Sequence, residues 1–212
     1  MGRDNRWLAP AIYWAGALQL IAILFLIPSD HVTEYGQGER TRVASVLGAE
    51  SEQRITQRAD MWFDMLFVRT NIYPWIHEFL FDRYTTDTEV GGSFDDRGTS
   101  DWIEERFESV WLSVYMSMYR VGTILFWVPF IALILIPAMI DGWSEREKRK
   151  WRFIFSSPGV HASSKTIYWL LGMGLLALIM FPIRVDVMVY PIIMLIATMV
   201  GWSMIINLSK RI

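Results

Sequence analysis

The chain has 212 residues, 53% of them apolar, with 11 tryptophans, a net charge of −2 and no cysteine. An apolar share above that of ordinary soluble domains, gathered into runs, argues against a plain water-soluble domain. The missing cysteine excludes a disulfide framework, a thiol nucleophile, an iron–sulfur cluster and Cys-ligated zinc.

Residues 8–28 carry no charge over 21 positions. A helix needs roughly 20 apolar residues to cross the hydrocarbon core, so this run predicts a first transmembrane helix. A cleaved signal peptide is the alternative, but its apolar core is usually about 7–15 residues long. Here the core is longer, the leading charges Arg3, Asp4 and Arg6 are weak, and no small-residue cleavage pattern follows Pro28. An uncleaved anchor is the expectation.

Residues 29–120 are too many for a simple connector. Within residues 52–70, Ile55, Ala59, Trp62, Phe63 and Leu66 recur close to helical spacing. Pro74 suits the first turn of a second helix over 75–84. The polar, Gly-containing stretch 85–101 reads as a loop, and Ser100 and Asp101 as caps for a helix beginning at Trp102. That helix gathers Trp102, Phe107, Val110, Trp111, Val114 and Tyr115 on roughly one face. It is expected to run unbroken into a second span.

Three more uncharged runs follow: residues 121–140, 166–183 and 187–208. The last two are separated only by Arg184, Val185 and Asp186, which predicts a tight transmembrane hairpin. The sequence thus predicts an all-α membrane protein with four transmembrane helices and a large helical segment between the first and second. Its parts are a first helix (1–28), the helical segment (29–120), a second helix (121–140), a basic loop (141–165), and the hairpin with a short C-terminus (166–212).

Charge assigns these parts to sides. Residues 29–120 hold nine Arg and no Lys against 17 acids, a net of −8. Residues 141–165 hold six basic residues against three acids, a net of +3, and both termini are basic. Short basic loops stay in the cytoplasm. The expected layout is a bacterial inner-membrane protein with cytoplasmic termini, a cytoplasmic 141–165 loop and a periplasmic 29–120 segment.

The densest basic run is Arg146, Lys148, Arg149, Lys150 and Arg152, laced with Trp143, Trp151, Phe153 and Phe155. It could bind anionic lipid head groups, at about 1 kcal/mol per basic residue near the surface, or dock an acidic patch on a cytosolic partner. It could also serve only to fix topology. The aromatics favour a short amphipathic helix lying in the interface plane, with residues 156–159 as a turn or helix stop. Six basic residues beside a membrane make no duplex-binding surface, so direct nucleic-acid binding is not expected.

Few residues carry catalytic chemistry. His31, His77 and His161 show no metal-ligand spacing, and residues 95–101 lack the alternating oxygen ligands and closing Glu of a calcium loop. There is no Ser–His–acid set, phosphate loop or dinucleotide fingerprint. No metal, cofactor or enzymatic activity is expected. Ionisable residues are missing from the spans, where Gln19 and Asn207 are the strongly polar side chains. Gly172, Gly174, Ala197 and Gly201 are small residues suited to close packing against a neighbouring helix. Arg184 and Asp186 either pair or form a plain polar turn.

One stretch carries a resemblance. A span ending in Pro137, Ala138, Met139, Ile140, Asp141 and Gly142 is followed by Arg146, a basic run with Phe153, then Ser157, Pro158, His161 and Ala162. This resembles the TraJ-type integral membrane proteins of integrating conjugative elements and conjugative plasmids, which accompany type IV secretion genes. The resemblance implies a non-enzymatic inner-membrane partner of the coupling ATPase or of secretion-channel subunits. It points to Gly142, Arg146, Phe153, Ser157, Pro158 and His161 as the functional stretch. Read without it, the chain also fits an accessory subunit of a membrane transporter or respiratory-type complex.

Overall fold

The computed structural model describes residues 14, 29–87, 97–151, 158–181 and 183–208. Apart from Trp14, the expected first span therefore lies outside the described residues. All the regular elements described are helical, and no strand occurs among them. The chain forms two units, residues 1–122 with 180–184 and residues 123–179 with 185–212.

In the first unit, α1 spans Ser29–Leu47 and α2 Ala49–Phe63. The sequence reading assigned no helix to α1, whose two glycines and low apolar content weaken the pattern. Its buried positions are Val32, Gly36, Glu39 and Val43, which recur at intervals of three and four, the stripe of one helix face. Glycine and glutamate occupy two of the places where apolar residues would be expected. Gly48 separates the helices at φ 88°, a conformation open to glycine at no steric cost. α2 buries Ile55 and Ala59, as the spacing predicts, while Leu66, beyond its end, is exposed.

α2 passes directly into a π-helical turn, Asp64–Val68. The Arg69 backbone N–H donates to the Asp64 carbonyl five residues back at 2.8 Å. Asn71, at φ 62°, then reverses the chain, and asparagine is one of the residues that tolerate this left-handed region. α3, Ile72–Asp87, follows. Pro74 falls in its first turn as expected, although the helix begins three residues before Trp75.

α4 runs from Arg97 to Trp151, 55 residues. It is continuous into the apolar run, as the sequence predicts, but it starts ahead of Trp102. Ser100 and Asp101 thus lie within the helix instead of capping it. Pro129 and Pro137 are internal to α4; a proline inside a helix removes one backbone donor, an interruption transmembrane helices accommodate. α4 also continues past residue 140. Residues 141–151 extend the same helix and do not form a separate amphipathic helix lying in the interface plane. The physical reason is local: no proline falls between Asp141 and Trp151, and the single glycine there, Gly142, is accommodated within the helix.

α5, Pro158–Met180, and α6, Val189–Ile206, complete the chain. Pro158 opens α5, so the proline read as part of a turn or stop is a helix start, where its missing N–H is no loss. In the link to α6, Asp186 Oδ1 accepts from the Met188 N–H at 3.0 Å and the Asp186 carbonyl from the Val189 N–H at 3.0 Å. Asp186 thereby organises a polar turn.

Among the described residues three helices are long and apolar enough to cross a membrane: Glu104–Arg149, Gly159–Met180 and Val189–Ile206. Little of their apolar surface is buried within the chain. Leu133, Leu170 and Met199 are 75%, 66% and 72% exposed, an apolar exterior that fits lipid or partner helices and not water.

Candidate interaction surfaces

The first unit is closed by a buried ion pair. Glu39 on α1 and Arg120 on α4 are 1% and 2% exposed. Arg120 Nε donates to both Glu39 carboxylate oxygens at 3.1 Å, and Nη2 to Oε2 at 2.8 Å. Its remaining donors reach backbone: Nη1 to the Phe181 carbonyl and Nη2 to the Ile183 carbonyl, each at 2.5 Å. One guanidinium thus joins α1, α4 and the start of the link between α5 and α6. Burying two charges is costly unless their hydrogen bonds are satisfied, and here the fork geometry of arginine satisfies both partners.

Close approach supports this joint. A Cβ at Gly36 would fall 3.0 Å from Met116 Sδ, and one at Gly38 would fall 2.6 Å from Arg184 Nη2. Beside it lies a second polar chain. Arg40 Nη2 donates to the Tyr115 hydroxyl at 2.8 Å, which donates to Asp60 Oδ1 at 2.6 Å. The Arg40 guanidinium also lies 5.3 Å and 5.5 Å from the Tyr115 and Tyr119 ring centres, within cation–π range.

An aromatic cluster holds α3 against α4. Trp111 is edge-on to Phe67 at 5.1 Å, Tyr73 at 5.0 Å and Phe63 at 5.9 Å, and Phe107 meets His77 at 5.6 Å. Phe107, Trp111 and Tyr115, predicted to share a face, all work in this cluster, and Tyr73 and His77 supply its α3 side. His77 thus takes part in these ring contacts while remaining exposed. Outside the cluster, Met65, Leu66, Ile72, Trp75 and Phe79 remain exposed.

The second unit holds most of the residues singled out in the sequence. Gly142 is buried: a Cβ there would lie 3.1 Å from Trp202 Cδ1 and 3.6 Å from Ile205 Cγ2. Its place is at the contact of α4 with α6, where the Trp202 indole N–H also donates to Asp141 Oδ2 at 2.9 Å. His161 Nδ1 lies 3.1 Å from the Met204 carbonyl, and Ser164 Oγ donates to Ser203 Oγ at 3.4 Å, so both join α5 to α6. These two members of the resembling stretch, Gly142 and His161, take part in internal packing.

The basic end of α4 is exposed. Glu145 is paired with Lys148 at 3.9 Å and Arg149 at 3.5 Å, while Arg146 lies over the Trp143 ring at 5.2 Å. Trp143 and Trp151 are 61% and 79% exposed. Arg152, Phe153 and Ser157 lie outside the described residues, as do the side chains of Lys150 and Pro158. No atoms lie within 4 Å of a Cβ placed at Gly172, Gly174 or Gly201, and Ala197 is half-buried. The three glycines are thus not used for close packing within the described chain. Among the described residues no group of three His, Cys, Asp or Glu is placed to hold a metal ion.

Sequence reasoning missed the Glu39–Arg120 pair. The two residues are 81 positions apart, and each reads singly as a solvated charge. The available signal was the interval linking Glu39 to Val32 and Val43.

Over residues 25–210 the chain matches the family described as IncC plasmid conjugative DNA transfer protein DtrJ-like. No curated protein and no solved structure matches it.

Proposed function

Because the chain belongs to this DtrJ-like family of conjugative DNA transfer proteins, we propose that it is a non-catalytic inner-membrane component of the transfer apparatus that positions a partner such as the coupling ATPase. In this reading the apparatus is a type IV secretion system, and the chain is of the TraJ type. The observation that carries the reading is α4 itself. A single helix bears an uncharged stretch of about 30 Å, bilayer thickness, between an acidic segment and a basic end. Residues 29–120 are then periplasmic, and residues 141–165 and both termini cytoplasmic, with residues 8–28 as a fourth span.

Two kinds of surface suit a scaffold. The open glycines of α5 and α6 allow a partner's transmembrane helix to approach closely. The basic, tryptophan-flanked end of α4, with Arg146, Lys148, Arg149 and Lys150, offers cationic docking at the membrane surface to lipid head groups or an acidic face of the ATPase. Copurification in mild detergent from cells expressing the transfer genes tests this. The coupling ATPase is expected in the complex and is expected to be lost when Arg146, Lys148 and Arg149 are changed together to Gln. A monodisperse lone chain recovered from such cells overturns it.

A further inference from the structure

α3 is apolar on two opposite faces. One face, through Tyr73 and His77, packs on Phe107 and Trp111 of α4. About half a turn round lie Ile72, Trp75 and Phe79, exposed by 41%, 60% and 53%. The Trp75 and Phe79 rings stack on each other at 5.7 Å and 18°. Large apolar side chains gathered and exposed on one helix face mark a contact surface. Exposed tryptophan beside phenylalanine is also the residue chemistry of interface anchors.

Charge selects the occupant. α3 carries three acids against one arginine, and residues 29–120 as a whole have a net charge of −8 with no lysine. Helices that lie on bilayers are rich in Lys and Arg on the polar face, and an acidic element is repelled by anionic lipid. A second copy of this chain would set one net-acidic segment against another. We infer that the Ile72–Trp75–Phe79 face of α3 is a docking surface for a different protein, whose contact region has an apolar centre bordered by Lys or Arg. This deepens the reading of the chain as an interaction component by naming one surface and the chemistry of what it takes.

Site-specific photocrosslinking in donor cells tests it, using the full chain in its membrane. Benzoylphenylalanine is placed at position 75, with position 54 on exposed α2 as the reference, and the adduct is identified by peptide sequencing. A protein adduct at 75 but not at 54, mapping to an apolar peptide flanked by Lys or Arg, is the expected result. A lipid adduct, a dimer of this chain, an acid-flanked peptide, or no adduct overturns the inference. Trp75→Ala, at an exposed position where folding is tolerant, is expected to weaken retention of the crosslinked partner about tenfold or more with unchanged amounts of this chain. Unchanged retention counts against the surface. If the adduct has the expected chemistry but the partner is foreign to DNA transfer, the docking surface stands and the proposed function fails.

Discussion

At residue scale the strongest constraint is the Arg120 guanidinium, which meets one carboxylate and two carbonyls in a buried site. Removing one partner of such a pair leaves an uncompensated buried charge, at a cost of about 3–5 kcal/mol, whereas replacing both by apolar residues is often neutral. Arg120→Met alone is therefore expected to lower Tm in detergent sharply, and Glu39→Leu with Arg120→Met to recover most of the loss. A double variant as unstable as the single one would show that the carbonyl contacts of Arg120, and not Glu39, matter. Gly142 makes a second case. The resemblance marked it as part of a functional stretch, yet its hydrogen side chain admits Trp202. Gly142→Leu is expected to overpack this contact and destabilise by about 1–3 kcal/mol, read as a lower Tm. Nothing in the local sequence distinguishes a glycine needed for a partner from one needed by a tryptophan 60 residues away.

At the scale of elements, what was legible followed apolar periodicity. α2 and the continuation of α4 into the apolar run were readable because apolar residues, Ile55 and Ala59 in one and Phe107 and Trp111 in the other, recur at helical intervals. α1 was not, because its buried stripe includes Gly36 and Glu39, whose meaning depends on Met116 and Arg120 in a distant helix. The extension of α4 through residues 141–151 was hidden for a different reason. A dense run of charge with tryptophans is compatible both with a surface helix and with a span that simply continues, and only the missing breaker separates the two. The aromatic joint between α3 and α4 should dominate the stability of its unit. Trp111→Ala is expected to cost about 3 kcal/mol and to diminish near-UV circular dichroism, while Trp75→Ala, on the exposed side, is expected to alter Tm little. Equal losses from both would contradict the assignment of inner and outer faces to α3.

At the scale of the whole molecule, the family and the apolar helices agree on a membrane component of DNA transfer, and the direction proposed for it rests on the sign of charge along the chain. The three apolar helices were readable from the sequence because hydrocarbon excludes charge over any span of about 20 residues. Partners were not readable, since which of the large apolar side chains stay exposed, Trp75 and Phe79 among them, emerges only once α3 has met α4. The open glycines of α5 and α6 bear on the same question. Gly172→Leu with Gly174→Leu is expected to leave stability in detergent within about 0.5 kcal/mol of the parent, since a Cβ meets nothing there, while lowering recovery of membrane partners. A large loss of stability instead would place these glycines in packing within the chain.

In the proposed layout α4 carries its acidic and basic flanks to opposite sides of the inner membrane. The chain has no cysteine, so Glu104→Cys and Lys150→Cys each provide a single thiol for a membrane-impermeant maleimide in spheroplasts. Labelling at 104 in intact spheroplasts, and at 150 only after permeabilisation, is the predicted result; labelling of both before permeabilisation, or of neither, would contradict it.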